Sequence, residues 1–88
     1  MTAIAKNTSR IVETTIDEEV VVMELDKGEF FSITGTGLAI WNLIDGARSR
    51  DDLLAGLMRE FEEDEAVMAK DVDEFLGRLG EAGLLEQR

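Results

Sequence analysis

The stretch from Glu19 to Trp41, EVVVMELDKGEFFSITGTGLAIW, restricts the fold more than any other part of the chain. Val20 to Leu25 is β-branched and apolar, and Phe30 to Ile33 is aromatic and apolar. Between them Asp26-Lys27-Gly28 reads as a three-residue loop with glycine where a left-handed residue is needed. The pattern predicts a β-hairpin that runs straight into an amphipathic helix. Such a loop places Leu25 opposite Glu29, Met23 opposite Phe31 and Val21 opposite Ile33, all on one face because side chains alternate along a strand. The other face then holds Val22 opposite Ser32, Val20 opposite Thr34 and Glu24 opposite Phe30. Val20, Val22 and Phe30 are thereby expected to form an apolar outer surface.

The rest of the chain builds on that hairpin. Residues 1–9 are short, polar and unpatterned, and are expected to be mobile; residues 10–88 are expected to form a single domain. Arg10 to Ile16 is rich in β-branched residues and predicts a strand, joined through Asp17-Glu18 to the hairpin in an antiparallel meander with Phe30 to Thr34 on one edge. Gly35-Thr36-Gly37 breaks the strand, with Thr34 or Thr36 as cap for a helix carrying Ile40, Trp41 and Ile44 and stopped by Asp45-Gly46. Ser49-x-x-Asp52 is a capping-box pattern ahead of Leu53, Leu54, Leu57, Met58 and Phe61. The acidic step from Glu62 to Glu65 precedes a third helix with Met68, Val72, Phe75, Leu76 and Leu79, for which Gly83 is the C′ residue and Leu84-Leu85 the apolar contact. Gly77 and Gly80 share one side of that helix, either as tolerated defects or as a place where another backbone comes close. Three strands followed by three helices is an α+β layout, similar to a winged helix-turn-helix.

Composition removes most chemistries. The 88 residues suffice for one small core. Cysteine and histidine are both absent, so there is no disulfide framework, no thiol nucleophile, no imidazole base and no ordinary transition-metal site. No apolar run approaches the roughly 20 residues of a membrane span, and no signal-peptide core is present, which points to a cytoplasmic protein with no membrane partner. Nine basic against twenty acidic residues give a net charge of −11. Arg48, Arg50 and Arg59 have acidic neighbours, so nucleic acid, which draws affinity from clustered cations, is an unfavourable partner.

The remaining motifs fail on their own terms. Ser9, Ser32 and Ser49 lack a histidine partner, and Ser49 already caps a helix, so no catalytic residue is assigned. Asp71-x-Asp73 continues into Phe75 and Leu76 where a calcium loop needs a ligand and a glycine, and no metal is expected. Gly35-x-Gly37 lacks the third glycine and lysine of a phosphate loop. An acyl carrier protein would need a serine in an Asp-Ser-Leu context, and none is present. No cofactor is expected. What stays open is a binding module whose apolar outer sheet face is covered by the N-terminal segment, buried in a homodimer, or used to receive a partner by strand addition.

Several runs together resemble the PqqD-like family. They are Glu19-Val20-Val21-Val22, Gly28-Glu29-Phe30-Phe31-Ser32-Ile33 and Gly37 to Trp41, followed by Leu43-Ile44-Asp45-Gly46 and Asp52-Leu53-Leu54, then by Asp71-Val72-x-x-Phe75-Leu76-x-x-Leu79 and Gly83-Leu84-Leu85. The resemblance covers roughly residues 10–85. It implies a RiPP recognition element, a non-catalytic domain that binds the leader of a ribosomally made precursor peptide and presents it to a modifying enzyme. The leader would pair with the third strand, here Glu29, Phe30, Phe31, Ser32, Ile33 and Thr34, and lie beside the third helix, here Met68 to Leu79. On that helix Lys70, Asp71, Glu74 and Arg78 would flank the groove, and Val72 and Leu76 would floor a pocket. Phe31, Ile33, Trp41, Leu57, Phe75 and Leu79 are expected chiefly as core, with Phe75 and Leu79 on the peptide side of the helix. Members that serve pyrroloquinoline quinone carry Pro-Glu before the third strand and a cysteine in the first helix. This chain has neither, and looks more like the stand-alone versions found with lasso-peptide systems. The competing readings are a winged-helix DNA-binding regulator and a structural dimerisation domain.

Overall fold

The computed structural model describes residues 3–86; residues 1 and 2 of the expected mobile segment, and the last two of the expected domain, lie outside them. Strands β1 (Ile11–Ile16), β2 (Glu19–Glu24) and β3 (Glu29–Ile33) are followed by helices α1 (Gly35–Leu43), α2 (Arg50–Glu60) and α3 (Glu65–Glu81). The sheet is antiparallel in the order β1-β2-β3, which leaves β3 on an edge. The α+β, winged-helix-like layout read from the sequence is therefore the observed one.

The hairpin register differs from the expectation by one residue. Glu24 pairs with Glu29, Met23 with Phe30, Val22 with Phe31, Val21 with Ser32 and Val20 with Ile33. The connection is four residues, Leu25 to Gly28, and the Glu24 end of β2 holds it closed. Glu24 O accepts from the Gly28 N–H at 2.9 Å, and Glu24 Oε1 accepts from the Lys27 N–H at 2.7 Å. Gly28 takes the left-handed φ of 72° that the sequence called for. A one-residue slip turns a strand over, so Val20 and Val22 face the core and are 4% and 0% exposed, while Val21 and Met23 face outward. An apolar outer face exists nonetheless, as a cross-strand row of Val12, Met23 and Phe30.

Helix ends follow local chemistry. Thr34 has the extended conformation of an N-cap, but its side chain makes no capping bond. Ser49 and Asp52 form the full capping box, satisfying two of the backbone donors that α2 would otherwise leave open. Asp64 caps α3 through the Ala66 N–H. At the other end the Leu84 N–H bonds to Leu79 O at 3.0 Å and the Gly83 N–H to Gly80 O at 3.2 Å, with Gly83 at φ 79°. This is a Schellman closure, and it turns Leu84 into the core at 1% exposure.

Two apolar clusters meet under the sheet. One joins Val22, Ile33, Trp41, Leu53, Leu79 and Leu84; the other joins Ile40, Leu57, Met68 and Val72. Phe75 and Leu76 pack against both. The N-terminal segment, expected to be mobile, is hydrogen-bonded where it is described. Ile4 exchanges bonds with the α1–α2 loop through Arg48 O and the Gly46 N–H. Asn7 and Ala5 bond to Leu84 O and the Glu86 N–H, around a bridge between Lys6 and Leu85. Ala5 is buried there.

Candidate peptide-binding groove

β3 is an edge strand because, among the described residues, no strand follows it in the sheet order. Alternate residues of such a strand direct their N–H and C=O groups outward, where they can pair with an added chain. Its side chains split between two environments. Phe31 and Ile33 point toward the helices, half-buried and buried, whereas Phe30 (69% exposed) and Ser32 point away from them. Ser32 Oγ donates to Glu19 Oε2 on the neighbouring strand.

Between β3 and α3 runs a groove made of two depressions, about 430 and 530 Å³. They share Ser32, Ile33, Phe75 and Arg78, so they adjoin one another along the strand. Lys27 and Glu29 stand at the hairpin-turn end, and Thr34 and Thr36 at the start of α1. Asp71 and Glu74 line the α3 wall in the first depression, Leu79 and Glu81 in the second. Of the expected α3 residues, Lys70, Val72 and Leu76 do not border it. Lys70 sits 4.0 Å from Glu74 on the helix exterior, Val72 is fully buried against Ile40 and Met68, and Leu76 packs between the two clusters.

Several contributors were absent from the sequence reading. Gly37 and Ile40 bring α1 into the wall. A Cβ at Gly37 would lie 3.1 Å from Phe75 Cε1, so glycine is what lets the Phe75 ring rest against the first turn of α1. The signal was available in Gly35-Thr36-Gly37, but its partner is 38 residues away by number and set only by tertiary packing.

The charges around the groove are unequal in their commitments. Arg50 binds Asp73 through two hydrogen bonds of 2.8 and 3.0 Å, tying α2 to α3. That fork holds the Asp73 carboxyl below the usual carboxylate range and raises the Arg50 guanidinium, which also meets Asp51. In the α1–α2 loop the Ala47 N–H, followed by the Arg48 charge, lowers Asp45. Within the groove, Lys27 and Arg78 form no ion pair among the described residues. Among the described residues there is also no cluster of three or more metal-ligating side chains, and no helix long and apolar enough to cross a membrane.

The sequence profile of the family described as Coenzyme PQQ synthesis protein D (PqqD) matches residues 19–85. Among curated proteins none matches the sequence. Among solved structures, TbiB1 in complex with the TbiA(beta) leader peptide is 28% identical, with 90% of this chain and 92% of that one covered at a TM-score of 0.81. A lasso peptide synthetase B1 complexed with the leader peptide has the same fold at 19% identity, with 96% of this chain and 98% of that one covered and a TM-score of 0.82. With three strands, three helices and a profile match from β2 to the residue after Leu84, the chain belongs to the PqqD family.

Proposed function

We propose that this protein is a non-catalytic binding module that captures the leader of a ribosomally synthesised precursor peptide and presents it to a modifying enzyme. The observation that carries the reading is the free β3 edge with a groove against α3 running its whole length. It is supported by the similarity to TbiB1, a structure described as a leader-peptide complex.

The peptide adds as a fourth strand along Glu29 to Thr34. Backbone hydrogen bonds supply sequence-tolerant affinity, and alternate side chains supply selectivity. Inward-pointing peptide side chains enter the groove beside Phe31, Phe75 and Leu79. Outward-pointing ones lie next to Phe30 and Ser32, where Phe30 extends the apolar row from Val12 and Met23. Arg78 borders both depressions and is free to meet a peptide carboxylate, while Asp71 and Glu74 disfavour acid at the α1 end. The competing reading is a structural dimer using the same edge.

A DNA-binding role draws no support from α2, whose Arg50 is already committed to Asp73 and Asp51. A backbone-amide NMR titration with the leader of the precursor encoded beside this gene tests the proposal. Shifts confined to Glu29–Thr34 and the groove side of α3, with a micromolar or tighter constant, are expected. Absent shifts, with β3 amides already protected in a dimer, would give the edge to self-association.

A further inference from the structure

The groove does not end with β3. Thr34 and Thr36 border it, and the same two residues border a larger hollow of about 1030 Å³. This hollow opens between the β1–β2 turn, α1 and the end of α2. Its apolar lining includes Ile16, Leu38 and Phe61, and Ile16 is left 52% exposed. Its rim carries Asp17, Glu18 and Glu60. Among the described residues no cation pairs with any of these three carboxylates.

An apolar hollow with an unpaired anionic rim selects its occupant by chemistry. It favours an apolar side chain carried beside lysine or arginine, and it repels acidic chain. Continuity decides which molecule brings that side chain. A strand on β3 advances about 3.3 Å per residue, so a peptide leaving the edge at Thr34 passes over Thr36 and reaches the hollow within a few residues. It arrives already tethered, so a weak contact there adds to affinity as an intramolecular event.

We infer that this hollow holds the residues of the leader peptide immediately beyond the segment paired to β3, an apolar side chain flanked by lysine or arginine. The inference rests on strand addition to β3 and adds a second recognition element to it.

The test uses the full chain and a fluorescent synthetic leader from the precursor encoded beside the gene, together with versions shortened stepwise from each end. Glu18 and Glu60 are exposed and make no ion pair among the described residues, so the double variant Glu18→Lys/Glu60→Lys should keep the wild-type circular dichroism and melting. Shortening from one end is expected to weaken binding about tenfold once the basic and apolar residues are lost. The double variant should weaken the full-length leader by a similar factor and leave that shortened leader unaffected. Equal binding of the full-length leader to variant and wild type overturns the inference while leaving strand addition intact. Failure of every leader to bind folded wild-type protein overturns both. If the variant keeps its leader affinity but no longer supports modification of the precursor, the hollow belongs to the enzyme. If instead a concentration-dependent doubling of mass disappears in the variant, it belongs to a second copy, and either result rejects the peptide as occupant.

Discussion

The indole Nε1 of Trp41 donates to Glu13 Oε1 at 2.8 Å, joining α1 to β1 beneath the sheet. Trp41 has no exposed surface, so this carboxylate is what satisfies the one polar atom of the largest core side chain. Lys6 completes the arrangement, with Nζ 3.8 Å from Glu13 Oε2 and 4.4 Å from the ring centroid of Trp41. The N-terminal segment is thus fastened at the same point where the sheet meets the first helix. Glu13→Ala leaves the indole N–H without its acceptor and is expected to cost about 1–3 kcal/mol. Glu13→Gln keeps an acceptor and should retain most of the stability. Chemical denaturation of the two variants distinguishes them, and equal losses would mean that the Lys6 pair rather than the indole bond matters.

On α3 the expected change has the opposite sign. Added Cβ atoms at Gly77 and Gly80 meet nothing within 4 Å, and both positions are exposed. Among the described residues, then, no backbone comes within 4 Å of a side chain started at either position. Alanine at each site removes a helix penalty of about 1 kcal/mol and should raise the melting temperature by several degrees. A fall in melting temperature would overturn the assignment of Gly77 and Gly80 as open, penalised helix positions.

Acid should loosen the α2–α3 junction. Arg50 holds the folded-state Asp73 below the ordinary value of 3.8. A carboxyl depressed on folding stabilises the protein above its unfolded pKa, and that contribution disappears as pH falls through the folded one. Melting temperatures of wild type and Asp73→Asn should therefore differ at neutral pH and converge progressively below the ordinary aspartate value of 3.8. Because the pair is exposed, added salt should shrink the neutral-pH difference as well. A gap that persists at low pH would assign the variant's effect to packing instead.

What could be read from the sequence was local chemistry. The capping box at Ser49 and Asp52, the left-handed glycines at 28 and 83, and the element order all depend on near neighbours. The hairpin register did not, because Val20 to Met23 is apolar on both faces and gives no alternation to fix the inward side. Asp26-Lys27-Gly28 fits a three- or a four-residue connection equally. The choice is made by Glu24, a glutamate buried to 4% exposure that turns its carboxylate onto the Lys27 N–H, and burial of glutamate is not something a pattern anticipates. The edge position of β3 was legible in the pattern, whereas α3 as the facing wall of the groove came from family resemblance. The α1 wall did not, since Gly37 and Ile40 acquire their role only when α1 and α3 pack. The pairing of residues 4–7 with the chain's other end is equally invisible to local pattern.

The closest test of the groove separates its shape from the stability of the fold. At Gly37 a methyl group would stand 3.1 Å from Phe75 Cε1, closer than side chains normally pack. Two effects then compete. Alanine favours the α1 helix by about 1 kcal/mol relative to glycine, and the contact penalises it. Phe75 is only half-buried and borders the open groove, so its ring can swing outward and relieve the contact at little cost to the core. The helix term should prevail, and Gly37→Ala should melt at or above the wild-type temperature. The displaced ring, however, now occupies space that inward-pointing peptide side chains require. Leader affinity should fall about tenfold or more in a protein that is no less stable. If stability drops together with affinity, Phe75 is held rigidly by the core. If affinity is unchanged, the peptide does not use the segment of the groove between Gly37 and Phe75.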